Sequence, residues 1–559
     1  RPTETQQREL FLQGGSYGTF RGGLDLSGAL NEDRTVLGRI VGSYYRSDTQ
    51  IERADEERFY IAPSVTFRPT TDTSITLLGL YQRDPQGGSY GSVPAYGSVL
   101  GNPNGRVATN RWDGNPYFDR LDRTQYQVGY LAEHRFNDSL TLRQNFRYAH
   151  SDGYYRQLYG TFGANILPDF RTVQRATTGT DVSVDTVTVD THLQSRFNTG
   201  PLAHTLLTGI DYYNTNSRTF NGFDATAPSY DLYSPNFNRV VTRPLTYQTN
   251  ARQTQNSLGF YGQDQIRIGR VALQLGGRYD RYDSATETET FATRTTTRSQ
   301  QEVGAFTGRA GLVYLFDNGI APYISYAESF EPQSGTFSPA RGAGVFEPTT
   351  GRQYEAGVRY QPPGTNALFS AAVFDITRQN VLTTDPNDNR YSVQTGEVRS
   401  RGVELEAKAS LGTGIDLVGA FTYLDNEITS SNTTVTLNRG VIGSPTSTRP
   451  EKGTTPVGVP SILGSAWANY TFQRDTRMEG LGLGAGIRYV GSSWGDTANS
   501  LKVPDYTLVD LSARYNLGKL GAANTELQLN VNNLFDKEYV STCNTYAWCW
   551  YGFRRSVLA

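Results

Sequence analysis

Two kinds of connection take turns along this chain, and that alternation constrains its fold more than any other feature. Short polar turns fall at residues 31–34, 69–72, 137–138, 198–201, 269–270, 316–319, 362–365 and 412–414. Between them lie longer polar stretches, at 84–122, 152–185, 215–254, 284–302, 332–350, 379–397 and 426–458. Neighbouring antiparallel strands send successive connections to opposite ends of a sheet, so one rim collects the short turns and the other the long loops. Counting onward through "FQRDTRMEG" and "NLGKLGAANTE" gives ten short turns and eleven connections on the other rim, hence 22 strands. The expected fold is all-β: a 22-stranded antiparallel transmembrane β-barrel with short periplasmic turns and long extracellular loops. A lumen of that size class is filled by a plug.

The segments between connections alternate in the period of two. In "RFYIAPSVTFR", Phe59, Ile61, Pro63, Val65 and Phe67 form an apolar face opposite Arg58, Ser64, Thr66 and Arg68. In "SLTLRQNFRY", Leu140, Leu142, Phe146 and Tyr148 oppose Thr141, Arg143, Asn145 and Arg147. A soluble sandwich buries its inner face, whereas these polar faces carry arginine strand after strand, as a wet lumen allows. Tyr44, Tyr45, Tyr81, Tyr212, Tyr213, Tyr279 and Tyr282 lie near strand ends and suit interfacial girdles. No apolar run is long enough for a transmembrane helix, which leaves a barrel untouched as a possibility. A net charge of -2 excludes a nucleic-acid partner. The start, "RPTETQQREL", has no signal-peptide pattern and reads as the interior of a longer, mature sequence.

The pentapeptide "GGSYG" occurs at residues 14–18 and again at 87–91, and both copies fit the G-x-S-x-G pattern of a hydrolase nucleophile elbow. An elbow needs a helix after the serine. Ser16 is followed by the alternating "TFRGGLDLSGAL", which makes a hairpin, and Ser89 sits in a Gly/Pro/Ser/Asn-rich loop. The four histidines, at 134, 150, 192 and 204, form no Ser/His/Asp grouping, and three fall inside strand-like runs. No enzyme is expected. The only cysteines, Cys543 and Cys549 in "CNTYAWCW", admit a metal site or a disulfide. No nearby His or further Cys completes tetrahedral coordination, and an oxidising compartment favours the bridge.

Five runs then carry a likeness. "YGQDQIRIGRVALQLGGRYD" (261–280), "GRAGLVYLFDNGIAPYISYAESFEP" (308–332), "GRQYEAGVRYQPPG" (351–364), "SRGVELEAKASL" (400–411) and "NVNNLFDKEYV" (530–540) resemble, in that order, TonB-dependent ferric-siderophore receptors of the ferrichrome, hydroxamate type. The resemblance covers nearly the whole chain. It implies a bacterial outer-membrane, multi-pass receptor and transporter, energised by the TonB-ExbB-ExbD complex acting on a plug. Other implied partners are outer-membrane lipid or lipopolysaccharide and, at the loops, phage or toxins; a monomer is expected. Family members carry a TonB box and plug upstream, and "RPT" falls where the plug ends. Residues 1–559 are therefore expected to be the barrel domain without its plug and without the end of its last strand. The alternative is a passive, porin-like diffusion channel, which such a barrel would become on its own.

Ferric hydroxamates lack the strong negative charge of catecholate complexes, so aromatic faces can hold them without a cationic cage. Loop 84–122 offers Tyr90, Tyr96, Trp112, Tyr117 and Phe118 among Arg106, Arg111 and Arg120, balanced by Asp113, Asp119 and Asp122. The resemblance implies siderophore contacts at Tyr90 of the second "GGSYG" and Tyr159 of "QLYGTF", with Phe220 and Phe223 of "TFNGFD" in a third such stretch. Ser92 and Thr161 stand where relatives can carry further aromatics. Ferrichrome-type receptors also close their last loop with cysteines, which would set Tyr546 and Trp548, with Trp550 just outside the ring, as an aromatic cap over the mouth. Iron arrives inside its chelator, so no cofactor and no protein metal ligand are expected.

Overall fold

The computed structural model describes residues 1–559 except 89–90, 238–245, 334–345, 385–391, 413 and 474–475. Twenty-two antiparallel strands form one sheet that closes on itself. The first strand, Gln7–Gly15, pairs with Thr19–Ala29 on one side, and on the other Gly14 exchanges both backbone hydrogen bonds with Ala559 (2.8 and 2.9 Å). The expected alternation of connections holds: Thr70↔Thr73, Asn137↔Leu140, Thr199↔Leu202 and Ile268↔Val271 close two-residue turns on the short rim.

The two faces separate as the period of two requires. Phe59, Val65, Phe67, Val128, Phe306, Leu312 and Ile324 stand exposed on the outer face. Residues of the other parity carry the charges, paired across strands inside the lumen. Arg39 Nε meets Asp25 at 2.8 Å, Arg58 and Arg123 share Asp84, Arg488 meets Asp510, and Arg278 is held by both Asp211 and Asp280. The same rule corrects the tyrosine girdle. Neighbours in a strand cannot both face lipid, so Tyr44, Tyr81, Tyr212 and Tyr279 point outward while Tyr45, Tyr213 and Tyr282 turn inward.

Several expected loops are largely strand. Strands run on to Gly160, Asp231, Thr290 and Thr384 and resume at Thr172, Tyr247, Thr295 and Ser392, so the 284–302 loop shrinks to the connection 291–294. Above the bilayer both faces meet water and the hydrophobic contrast fades. The backbone still has to pair, and the Thr-rich run Thr286 to Thr297 favours β structure, so the ladder continues. The 426–458 stretch holds a small hairpin of its own, Thr434–Leu437 with Ser447–Pro450.

The densest apolar packing lies at the outer mouth. Val93, Val107, Trp112, Ile166, Val173, Leu232, Phe237, Leu501, Val503 and the cysteine loop, drawn from connections hundreds of residues apart, form one buried cluster. The loops thus fold on one another as a cap, while the lumen wall below stays polar.

Candidate functional site: the aromatic wall of the mouth

The last connection forms a hairpin of Val540–Thr545 and Trp548–Tyr551, with Cys543 opposite Cys549 in a disulfide. Loop residues 91–119 dock on it through an isolated antiparallel bridge. Val93 and Cys549 exchange backbone hydrogen bonds (3.0 and 2.8 Å), and the Ala95 N–H donates to the Tyr546 carbonyl at 2.8 Å. The Tyr551 hydroxyl donates to the carbonyls of Val107 (2.6 Å) and Gly97 (3.2 Å), and its burial there pushes its pKa up to about 12. Below, Arg554 grips Asp536 through Nε and Nη2 (2.9 and 2.6 Å) and Glu538 through Nη1 (2.6 Å), which holds the Asp536 carboxyl far below the usual carboxylate range. The hairpin is thus braced along one edge by residues 93–107 and clamped at its base by Arg554.

Trp548 starts the second strand of this hairpin. The indole Nε1–H donates to the Gly160 carbonyl at 2.7 Å, and the ring takes Tyr159 and Phe162 edge-on, at centroid distances of 5.7 and 5.4 Å. Phe162 is 71% exposed, so this three-ring wall ends in an open aromatic face. T-shaped contacts of this kind add about 0.5 to 1.5 kcal/mol beyond area burial. Tyr159 and Trp548, named from the sequence, are thus brought together. Tyr546 is 7% exposed and packs inside the cap, 6.5 Å from Tyr96, with its hydroxyl 3.3 Å from Ser500 Oγ. It stabilises the cap and presents little of its ring to the mouth. Trp550, half-buried, follows on the second strand of the hairpin, where its carbonyl accepts from Ser541 Oγ at 3.0 Å.

Phe220 and Phe223 stand three positions apart on one strand and so point to opposite sides. Phe220 lies on the outer face with Tyr247 (5.7 Å) and the Arg218 guanidinium (4.5 Å), whereas Phe223, on the inner side, is 40% exposed. Tyr90 and Ser89 fall outside the described residues. Their glycine neighbours have defined tasks: Gly88 takes φ +78°, open to glycine at no steric cost, and a Cβ on Gly91 would sit 2.6 Å from the Trp112 ring. In the first "GGSYG" a 3-10 turn follows the strand, and Ser16 Oγ accepts the Val557 N–H at 2.9 Å.

Sequence reasoning missed Phe162, which stands one residue past the expected aromatic site at Thr161, and it gave Asp113 and Asp119 only a balancing role. Both carboxyls are pushed up by burial, Asp119 well above the usual range. All four histidines lie in strands, with His150, His192 and His204 bonded to aspartates and His134 to Thr73 Oγ1 (2.8 Å). Among the described residues no group of His, Cys, Asp and Glu could hold a metal ion.

The family model for "TonB dependent receptor-like, beta-barrel" matches residues 62–534. The "Ferrichrome outer membrane transporter/phage receptor" of Escherichia coli K12 is 37% identical over 583 residues, spanning 100% of this chain and 74% of that protein. The "Ferrioxamine B receptor" of Salmonella typhimurium SL1344 is 34% identical over 562 residues, spanning 99% and 76%. Among solved structures, the siderophore receptor PiuA of Acinetobacter baumannii superposes with a TM-score of 0.86 at 22% identity, covering 100% of this chain and 81% of that one, and shows the same fold. These relatives are receptors and transporters of the outer membrane rather than enzymes. The chain belongs to the TonB-dependent receptor family and forms its bacterial outer-membrane β-barrel.

Proposed function

We propose that this barrel takes up a ferric hydroxamate siderophore, capturing it from outside on the Tyr159–Phe162–Trp548 wall and passing it inward when TonB-ExbB-ExbD acts on a plug. The observation that carries this reading is the wall itself: three rings held edge-on and ending in an exposed aromatic face, suited to a bulky ligand without strong negative charge. The named substrates of two relatives, ferrichrome and ferrioxamine B, support it. Trp550, Phe223 and Tyr90 complete the proposed contact set, with Tyr546 as its buried support. Iron enters as cargo inside its chelator.

The test is binding by the full-length receptor. A ferric trihydroxamate should bind with little dependence on salt, because aromatic contact outweighs ion pairing. Tight, strongly salt-sensitive binding of a catecholate complex would replace the substrate class. Uptake that needs neither TonB nor saturable binding would favour the passive channel.

A further inference from the structure

The cap encloses more charge than a dry core tolerates without compensation. Arg175 is 4% exposed; its Nη1 donates to the carbonyls of Asp113 (2.8 Å) and Gly114 (3.1 Å), its Nε donates to that of Pro228 (2.9 Å), and its guanidinium lies 5.1 Å from the Tyr230 ring. Two carboxyls share this turn, and their surroundings differ. Asp113, 2% exposed, accepts the Ser92 N–H (2.8 Å), the Ser92 hydroxyl (2.9 Å) and the Gly160 N–H (2.6 Å). Asp119 accepts the Leu158 N–H through Oδ1 at 2.8 Å and is also favoured as an anion by the Asn115 backbone N–H, while its Oδ2 is closed off from solvent with no hydrogen-bond partner among the described residues. The Trp112 ring helps to cover that oxygen: a Cβ at Gly114 would lie 2.0 Å from Trp112 Cζ3 and 2.3 Å from Asp119 Oδ2.

Three donors act on the Asp113 carboxyl against its burial, and Arg175, which holds the Asp113 backbone carbonyl, lies close enough to act on Asp119 as well. An anion at Asp119 would be buried beside Asp113 with one oxygen unpartnered, and the Leu158 and Asn115 amides and Arg175 offset that cost only in part. The charged groups facing it are Asp113 on its own loop and Arg175 from Thr172–Thr199, and around those two lie Tyr230 from Leu202–Asp231 and the Arg111–Glu52 ion pair. We propose that Asp119 is a positioning residue of the mouth: it keeps its proton while loop residues 91–119 are seated on the outer end of strand Leu140–Gly160, and losing that proton unseats Leu158–Gly160. That stretch carries Tyr159 and supplies the carbonyl that anchors Trp548. The consequence for ligand binding rests on the wall being the ligand face; the proton effect itself does not.

Burial raises the folded-state value of Asp119, so its contribution to order is complete below the unfolded carboxyl value and is lost as pH rises through the folded one. The cap should loosen toward alkaline pH. The test measures amide exchange at Leu158 and Gly160 in the full-length receptor without ligand, corrected for intrinsic rates, from about pH 5 to about pH 9. Protection in the parent should fall about tenfold or more in one titration. Asp119→Asn should hold one level across the range, and Asp113→Asn, which removes the charged acceptor, should lower protection at every pH. A pH-independent parent, or a variant Asp119→Asn that keeps the parent's step, overturns the proposal. Siderophore affinity measured in parallel separates the two readings: a protection step with no hydroxamate binding sinks the substrate class and leaves Asp119 standing.

Discussion

Trp548 and Gly160 are 388 residues apart in sequence and 2.7 Å apart in space, joined by an indole N–H to carbonyl hydrogen bond that ties the last loop to the outer end of the strand Leu140–Gly160. Removing only that donor should be informative. Trp548→Phe keeps an aromatic ring and loses the tie, which for a net contribution of about 1 kcal/mol weakens ligand binding roughly fivefold. Trp548→Ala also removes both edge-on contacts and should cost at least tenfold. Titration of the full-length receptor with ferric trihydroxamate checks both, and equal affinities for the two variants would mean the ring makes no ligand contact.

The disulfide closes a short ring, which in the chain-entropy model contributes roughly 2 kcal/mol. The hairpin holds Val93, Ala95, Val107 and Gly160 as well, so the effect should be confined to the cap. Replacing Cys543 and Cys549 together by Ser should leave membrane insertion and the barrel's heat-modifiable mobility on gels unchanged. Ligand affinity should fall about tenfold as the cap's aromatics lose their preorganisation. Unchanged affinity would make the loop a lid or protease guard.

Acid should loosen the same loop from below. Asp536 is held far below the ordinary range by Arg554, so its contribution is present above the unfolded carboxyl value near 4 and is lost as pH falls through the folded value. The Arg555 amide, which donates to Asp536 Oδ1 at 2.9 Å, reports on it. Its exchange should stay slow until well below about pH 4 in the parent. In Asp536→Asn it should already be fast at neutral pH; a protected amide there would show that Glu538 and Thr109 Oγ1, which accept from Arg554 Nη1 at 2.6 and 3.0 Å, suffice to hold Arg554.

Gly91→Ala would place a methyl 2.6 Å from Trp112 Cβ and Cε3 in a packed cluster. Overpacking of this kind costs about 1 to 3 kcal/mol. The expected result is a cap open to protease within loop 88–119 and an intact barrel, read by limited proteolysis on whole cells.

The barrel was legible because alternation and connection length are properties of the chain itself. The short turns and the arginine-bearing faces of Arg58 and Arg147 needed no tertiary knowledge. Loop boundaries failed where water bathes both faces, as at Thr286 to Thr297, since the backbone ladder persists after the pattern that signals it has gone. The wall was half visible. Tyr159 and Trp548 could be named by likeness, but that Tyr546 packs inward and Phe162 outward depends on loops far apart in sequence meeting at one hairpin.

Face assignment gives the sharpest discrimination among the proposed contacts. Phe220 and Phe223 share a motif, and composition treats them alike, yet a strand sends them to opposite sides of its wall. Phe220 is engaged on the outer surface by Arg218 and Tyr247, and a ligand entering the mouth approaches from the other side. Phe220→Ala should therefore leave ferric-hydroxamate affinity within about twofold, any loss being local to the outer surface. Phe162→Ala should weaken binding by about 1 kcal/mol or more, and together with Trp548→Ala its effect should be less than additive, because the two rings share one contact. Titration of the two single variants and the double variant decides it: a strong effect of Phe220→Ala with none of Phe162→Ala would move the ligand away from the Trp548 wall and reassign the site to the strand Leu202–Asp231.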